Sequence, residues 1–154
     1  PSPSSAASDV YKRQPYPPLW VCGGGEKVTL KLLARHGDYG NWDVDVEGFK
    51  HKSKILQEHC KNENRDYSEI GRTLHTNVLI GKDKDDLDNK ITKLAEYTNI
   101  PKEYYYDRPL VGTKEEVFNT YAQYENEGCS YLIAYIPDII WGDTVNILSE
   151  LIES

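Results

Sequence analysis

Leu19-Trp20-Val21-Cys22-Gly23-Gly24-Gly25-Glu26-Lys27-Val28-Thr29-Leu30-Lys31-Leu32-Leu33-Ala34-Arg35-His36-Gly37 is the stretch on which the reading of this chain turns. Leu19–Cys22 is an apolar run of strand length that stops in three glycines. From Glu26 to His36 the spacing becomes helical, with Val28, Leu32 and Leu33 expected on one side and Gly37 expected to close the helix. Glycines let a backbone turn tightly and come close to a ligand. A helix N-terminus that follows them offers unpaired N–H groups and the positive end of a dipole, which together suit a phosphate. A bare triple glycine also serves flexible turns. The segment is not GxGxxG, and no GK[ST] follows it.

Outward from this stretch the same grammar repeats. Tyr39–Val44 reads as a second strand, followed by a helix over about Glu47 to Lys61 with Phe49, Ile55, Leu56, His59 and Cys60 on one stripe. Thr73–Ile80 alternates as a third strand. Asp83, Asp85 and Asp86 then favour a helix start, and Leu87, Ile91, Leu94 and Ala95 give that helix its apolar face. Lys102–Asp107 is expected to form a short extra turn. Thr113 and Glu116 form a capping box that opens a helix, and Tyr131–Ile136 reads as a strand buried on both faces. Thr144–Ile152 closes the chain as an amphipathic helix. Four strand–helix units in succession define an α/β protein with a parallel sheet. A freestanding doubly wound domain and half of a (β/α)8 barrel both satisfy the pattern, since a whole barrel takes about 250 residues.

Composition narrows the partners. The chain has 154 residues, 38% apolar and 28% charged, with 25 acidic against 18 basic residues and a net charge of −7. An acidic surface repels phosphodiester backbones, so no nucleic-acid partner is expected. No apolar run approaches the length that spans a bilayer, so no membrane partner is expected. Cys22, Cys60 and Cys129 are odd in number and far apart, which argues for a reducing compartment, taken as cytoplasmic, and against a zinc site. The sequence contains no methionine. Residues 1–14 carry no helix or strand period, and Ser8–Gln14 resembles translated adaptor read-through. They are expected to be an appended or disordered tail, with the folded part at 15–154.

Other motifs carry weaker chemistry. Asp43-Val44-Asp45-Val46-Glu47-Gly48 imitates the start of a calcium loop, but Lys54 stands where a bidentate Glu is required, so no metal site is assigned. His51 lies two turns from His59 and Cys60, a spacing that does not converge on one ion. His75 sits on a strand and points either inward or outward. Tyr104-Tyr105-Tyr106 is read as ordinary packing, and Lys82–Asp88 as a solvated helix start.

The ordered succession of Pro17–Leu30, Ala34–Asp38, Asn41, His51-Lys52, Ile55–Cys60, Arg65-Asp66, Glu69-Ile70, Leu79–Gly81 and Leu110–Thr113 resembles the second half of luciferase-like monooxygenases. It is most similar to the branch that depends on the deazaflavin coenzyme F420. The resemblance implies a (β/α)8 TIM-type barrel of which this chain supplies the C-terminal half, strands five to eight. It implies an oxidoreductase acting on a small organic molecule, with coenzyme F420 as cofactor. FMN is the alternative, as in a reduced-FMN monooxygenase, and a non-catalytic flavin- or phosphate-binding barrel is a further one. By this resemblance Gly23, Gly24, Gly25, Glu26 and Lys27 contact the cofactor phosphate, chiefly through backbone N–H groups, and Asn41 helps line the pocket. Tyr39 departs from the pattern, since relatives have a small residue there. No catalytic residue is assigned, because the other half of the barrel would carry the ring contacts. The resemblance also implies a possible homodimer for the whole protein. An isolated half-barrel, with two unpaired edges, is expected to aggregate or pair with a second copy.

Overall fold

The computed structural model describes residues 17–152, so the expected tail at 1–14 lies outside the described residues. The elements are β1 (Trp20–Cys22), α1 (Thr29–His36), β2 (Tyr39–Trp42), α2 (Val46–Asn62), a 3-10 turn (Tyr67–Glu69), β3 (Gly71–Gly81), α3 (Lys84–Thr98), α4 (Lys102–Tyr106), β4 (Leu110–Thr113), α5 (Lys114–Asn126), β5 (Tyr131–Tyr135) and α6 (Thr144–Ile152). Every strand pair is parallel. β1 pairs β2, β2 pairs β3, and β3 pairs both β5, through Thr73–Asn77, and β4, through Val78–Gly81. No helix among the described residues is long and apolar enough to cross a membrane.

Strand parity divides the sheet into two faces. Val21, Trp42, Leu74, Val78, Ile80, Leu132 and Ala134 turn to the helices, where they meet Leu30 and Leu33 of α1, Phe49, Leu56 and Cys60 of α2, and Val117 and Tyr124 of α5. Each fully buried Leu or Phe in such a core contributes about 1.5–3 kcal/mol. Phe49 bridges Trp42 and Tyr124 by edge-to-face contacts at 5.1 and 5.6 Å, and the Tyr124 hydroxyl donates to the Val44 carbonyl at 2.7 Å. A smaller cluster joins Leu79 to Leu87, Ile91 and Leu94 of α3 and Tyr105 of α4.

The other face carries Trp20 and Cys22, Tyr39 and Asn41, Thr73, His75 and Asn77, and Tyr131, Ile133 and Tyr135. Trp20 stacks on Tyr39 at 4.4 Å and meets Tyr131 edge-on at 5.9 Å. Two strands lie between β1 and β5 in the sheet, a separation of about 14 Å if the sheet were flat. The contact therefore reports a strongly curled sheet whose open face folds over itself.

Three expectations need correction. The first helix begins at Thr29 rather than Glu26, because Gly23 adopts φ +100°, residues 24–25 are irregular and residues 26–28 remain in a turn. Its buried stripe is Leu30, Leu33 and Ala34, while Val28 and Leu32 are exposed. Gly37 closes α1 as expected, in an extended conformation (φ −84°, ψ 152°). Its requirement is space, since a Cβ there would stand 2.6 Å from Leu33 Cδ1. β5 is not buried on both faces: Tyr131 and Tyr135 are 58% and 65% exposed. β5 is a sheet edge, and only its Leu132 and Ala134 side meets the helices.

Candidate functional site

The glycine loop leaves the C-terminal end of β1 and is held from two directions. On one side the Gly23 N–H donates to the Asn41 carbonyl at 3.3 Å, tying the loop to the neighbouring strand. On the other, α2 presents a row of side chains to it. Lys52 donates from Nζ to the Gly24 carbonyl at 2.8 Å. His51 Nε2 bonds Glu26 Oε1 at 3.0 Å, and His59 Nε2 bonds the Glu26 carbonyl at 2.8 Å. His51 and His59 are eight residues apart on one helix face, so both reach the same loop residue. Sequence reading placed His59 in the buried stripe of α2, whereas the structure uses it as a loop clamp. Lys52 is a site residue that the sequence reading does not pick out, because nothing in its place on α2 signals a backbone partner 28 residues away.

The glycines have separate reasons to be there. Gly23 takes a positive φ that L residues rarely adopt. A Cβ at Gly24 would stand 2.7 Å from Lys52 Nζ, so the bare backbone leaves room for the ammonium. α1 has Val28 at its N-cap and no side-chain cap. Among the described residues, none accepts a hydrogen bond from the N–H groups of Gly24, Gly25, Glu26 and Lys27. Unpaired donors before a helix start, next to a lysine ammonium and without Cβ atoms in the way, form a donor set that fits a phosphate.

Asn41 is oriented by its neighbours. Thr73 Oγ1 lies 3.0 Å from Asn41 Oδ1 and donates to the Gly40 carbonyl at 2.9 Å, and Asn41 Nδ2 lies 3.8 Å from Cys22 Sγ. A cavity of about 630 Å³ opens beside these groups, bounded by Cys22, Gly23, Gly24 and Asn41 on one side and Lys52, His75 and Ile133 on the others. Such a volume is in the range of small-molecule sites, about 300–1,000 Å³. Of the expected site residues, Gly23, Gly24 and Asn41 line it. Gly25, Glu26 and Lys27 belong to the same loop but do not, and the Glu26 carboxylate is directed to His51. His75, left open between two directions by the sequence, lies on this open face and in this cavity.

The rival motifs resolve into structural roles. Asp45 caps α2 by accepting from the Gly48 N–H at 2.8 Å, and Asp43 pairs with Arg108 at 3.1 Å. Tyr105 is buried, Tyr106 donates to Asp88 at 2.6 Å, and Tyr104 accepts from Asn77 Nδ2 at 3.4 Å.

No family model and no curated protein sequence matches the chain. Solved structures do. An F420-dependent secondary alcohol dehydrogenase in complex with an F420–acetone adduct superposes with a TM-score of 0.69 at 14% identity, covering 90% of this chain and 48% of that one. The long-chain alkane monooxygenase LadA gives 0.68 at 17%, covering 91% and 42%. The coenzyme F420-dependent tetrahydromethanopterin reductase from Methanopyrus kandleri gives 0.61 at 15%, covering 84% and 48%. The chain thus spans about half the length of the structures it matches. Its fold is that of about half of a luciferase-like (β/α)8 barrel.

Proposed function

We propose that this chain is the C-terminal half, strands five to eight, of a luciferase-like oxidoreductase, and that its glycine loop receives the phosphate end of coenzyme F420 or FMN. β1, β2, β3 and β5 then take the places of strands five to eight, and β4 is an addition on the far end of β3. The observation that carries this reading is the loop itself. Its N–H groups, unpaired among the described residues, adjoin the Lys52 ammonium, and its Gly23 and Gly24 line a cavity at the C-terminal ends of parallel strands, the end where ligands of barrel enzymes gather. When bound, the cofactor would supply hydride or oxygen chemistry at its ring. The role of this half is to hold and orient it, and the substrate is a small organic molecule. The F420 form is favoured by two of the three structures described above, whose own names include that cofactor.

A thiol assay tests the reading on the chain as it stands. Cys22 is exposed in the cavity, whereas Cys60 and Cys129 are buried. Burial also pushes the thiols of Cys60 and Cys129 up, away from the reactive thiolate. A thiol reagent at neutral pH is therefore expected to modify Cys22 first. Coenzyme F420 or FMN should slow that modification. An unchanged rate with saturating amounts of both would remove the proposal.

A further inference from the structure

The ionisable groups that line the cavity are Cys22, Asp43, Lys52 and His75. Three of them already have partners: Cys22 has Asn41 at 3.8 Å, Asp43 has Arg108 at 3.1 Å, and Lys52 has the Gly24 carbonyl at 2.8 Å. His75 has no hydrogen-bond partner among the described residues. Its ring meets the Tyr135 ring in a T-shaped arrangement, with centroids 6.2 Å apart, and its strand neighbour in register is Ile133. The imidazole sits on β3, two strands away from the glycine loop, in a wall of mixed polar and apolar side chains, and both its ring nitrogens are uncommitted among the described residues.

We infer that His75 is the cavity's proton-carrying contact to the ring of the bound ligand, an oxygen- and nitrogen-bearing heteroaromatic system of the flavin class. The inference rests on the cofactor reading above and adds to it the residue that meets the ring end. The protonated imidazole donates from both nitrogens, so it hydrogen-bonds a carbonyl oxygen or ring nitrogen of the ligand. The cation binds the ligand more tightly than the neutral form does. The proton stays on the imidazole, and no bond in the ligand is broken. The other charged or titratable groups around it come from every neighbouring element. They are Tyr135 on β5, Cys22 on β1, Asp43 with Arg108 at the end of β2, Lys52 on α2 and Tyr104 on α4. None of these unmodified side chains ordinarily changes charge between pH 5 and 8 except the thiol at the upper limit, whereas an imidazole does.

The test is an NMR titration of the imidazole signals of the full chain, with and without FMN, alongside Cys22 protection. His36, His51, His59 and His75 are the four histidines, and His75→Gln identifies the signal that belongs to His75. FMN is expected to raise the titration midpoint of His75 by about one pH unit, equivalent by linkage to about tenfold tighter binding to the protonated form. His75→Gln should lose that tenfold difference. The FMN phosphate also ionises near pH 6, but equally for both proteins, so only their difference counts. Protection of Cys22 with an unmoved His75 midpoint would overturn the His75 assignment and leave the cofactor site standing. Absence of protection and of any shift would overturn both. If His75→Gln does not fold, the through-space contact of the imidazole with the Tyr135 ring identifies the His75 signal in the wild-type titration.

Discussion

Lys52 Nζ donates to the Gly24 carbonyl at 2.8 Å, a bond that spans 28 residues and fixes the glycine loop to α2. The same ammonium stands where a Cβ at Gly24 would fall. One side chain thus stabilises the loop and places a positive charge at its mouth. Replacement by methionine keeps the stem and removes both effects. Lys52→Met should cost about 1 kcal/mol or less in stability. It should weaken FMN or F420 binding by about five- to thirtyfold, the equivalent of about 1–2 kcal/mol. Thermal melts and fluorescence titration measure the two separately, and unchanged affinity would remove Lys52 from the site.

The two neighbouring glycines should respond differently to alanine. Gly23 at φ +100° forces any L residue into strain, so Gly23→Ala should destabilise by about 1–2 kcal/mol. At Gly24 no positive φ applies, and the Cβ meets only the flexible end of Lys52. Gly24→Ala should leave the melting temperature nearly unchanged while displacing Lys52, so its affinity loss should resemble that of Lys52→Met. Equal destabilisation by both alanines would contradict this division.

On the open face Tyr39 lies across Gly71, its partner in register. A Cβ at Gly71 would stand 2.3 Å from the Tyr39 ring, and that ring is stacked on Trp20 and cannot easily move. Gly71→Ala should cost about 1–3 kcal/mol by overpacking. In a Tyr39→Ala background the cost should shrink, and a double-mutant cycle by denaturant unfolding gives the coupling. The bulk of Tyr39 is therefore accommodated inside the fold by the glycine opposite it on the next strand, β3.

Lys90 is buried on α3. Its ammonium donates to the Ile80 carbonyl at 2.6 Å and to Asp143 at 2.5 Å, and lies 3.7 Å from the fully buried Asp138. Asp138 also accepts from Thr144, whose hydroxyl oxygen accepts from the Ile80 N–H. The cluster pins the segment after β5 to the end of β3. Lys90→Met should destabilise by about 3–5 kcal/mol, because it strands a buried carboxylate. Adding Asp138→Asn should recover part of that loss. Urea unfolding of the two variants checks both statements.

The capping box at α5 has a pH signature. Glu116 hydrogen-bonds the ammonium of Lys84 and the N–H of Thr113, and these donors lower its carboxyl from the ordinary 4.5 to about 2. A depressed carboxyl contributes stability that is present above its unfolded value and lost as pH falls through the folded one. The effect therefore fades between about pH 5 and 2, and solvent screening of this half-exposed pair keeps it small. Glu116→Gln should flatten the acid limb of the unfolding curve over that window. An unaltered limb would show that the pair contributes nothing in solution.

The elements that the sequence makes legible are those with period and punctuation. The long helices α2 and α3, the strand β3 and the Thr113–Glu116 box all lie within a few residues of expectation. β4 was invisible as a strand, because Leu110–Thr113 is too short to show alternation. The start of α1 was misplaced because Glu26 and Lys27 are good helix formers held in turns by the glycines before them and by His51 and His59 beyond. β5 misled for a different reason. A continuous apolar run does not record which side has a partner, and here one side has none. Of the groups that line the cavity, Gly23, Gly24 and Asn41 are named by the resemblance. Lys52 and His75 are not legible in the sequence, since their places beside the loop and in the cavity depend on elements 28 residues and two strands away.

Binding of phosphorylated and unphosphorylated ligand forms tests the central claim most directly. Fluorescence titration of the chain would compare FMN with riboflavin, and coenzyme F420 with its phosphate-free deazaflavin core. If the loop at Gly23–Lys27 holds the phosphate, at least one phosphorylated form binds about tenfold or more tightly than its counterpart, and Lys52→Met narrows the gap. Equal affinities within both pairs would contradict the account.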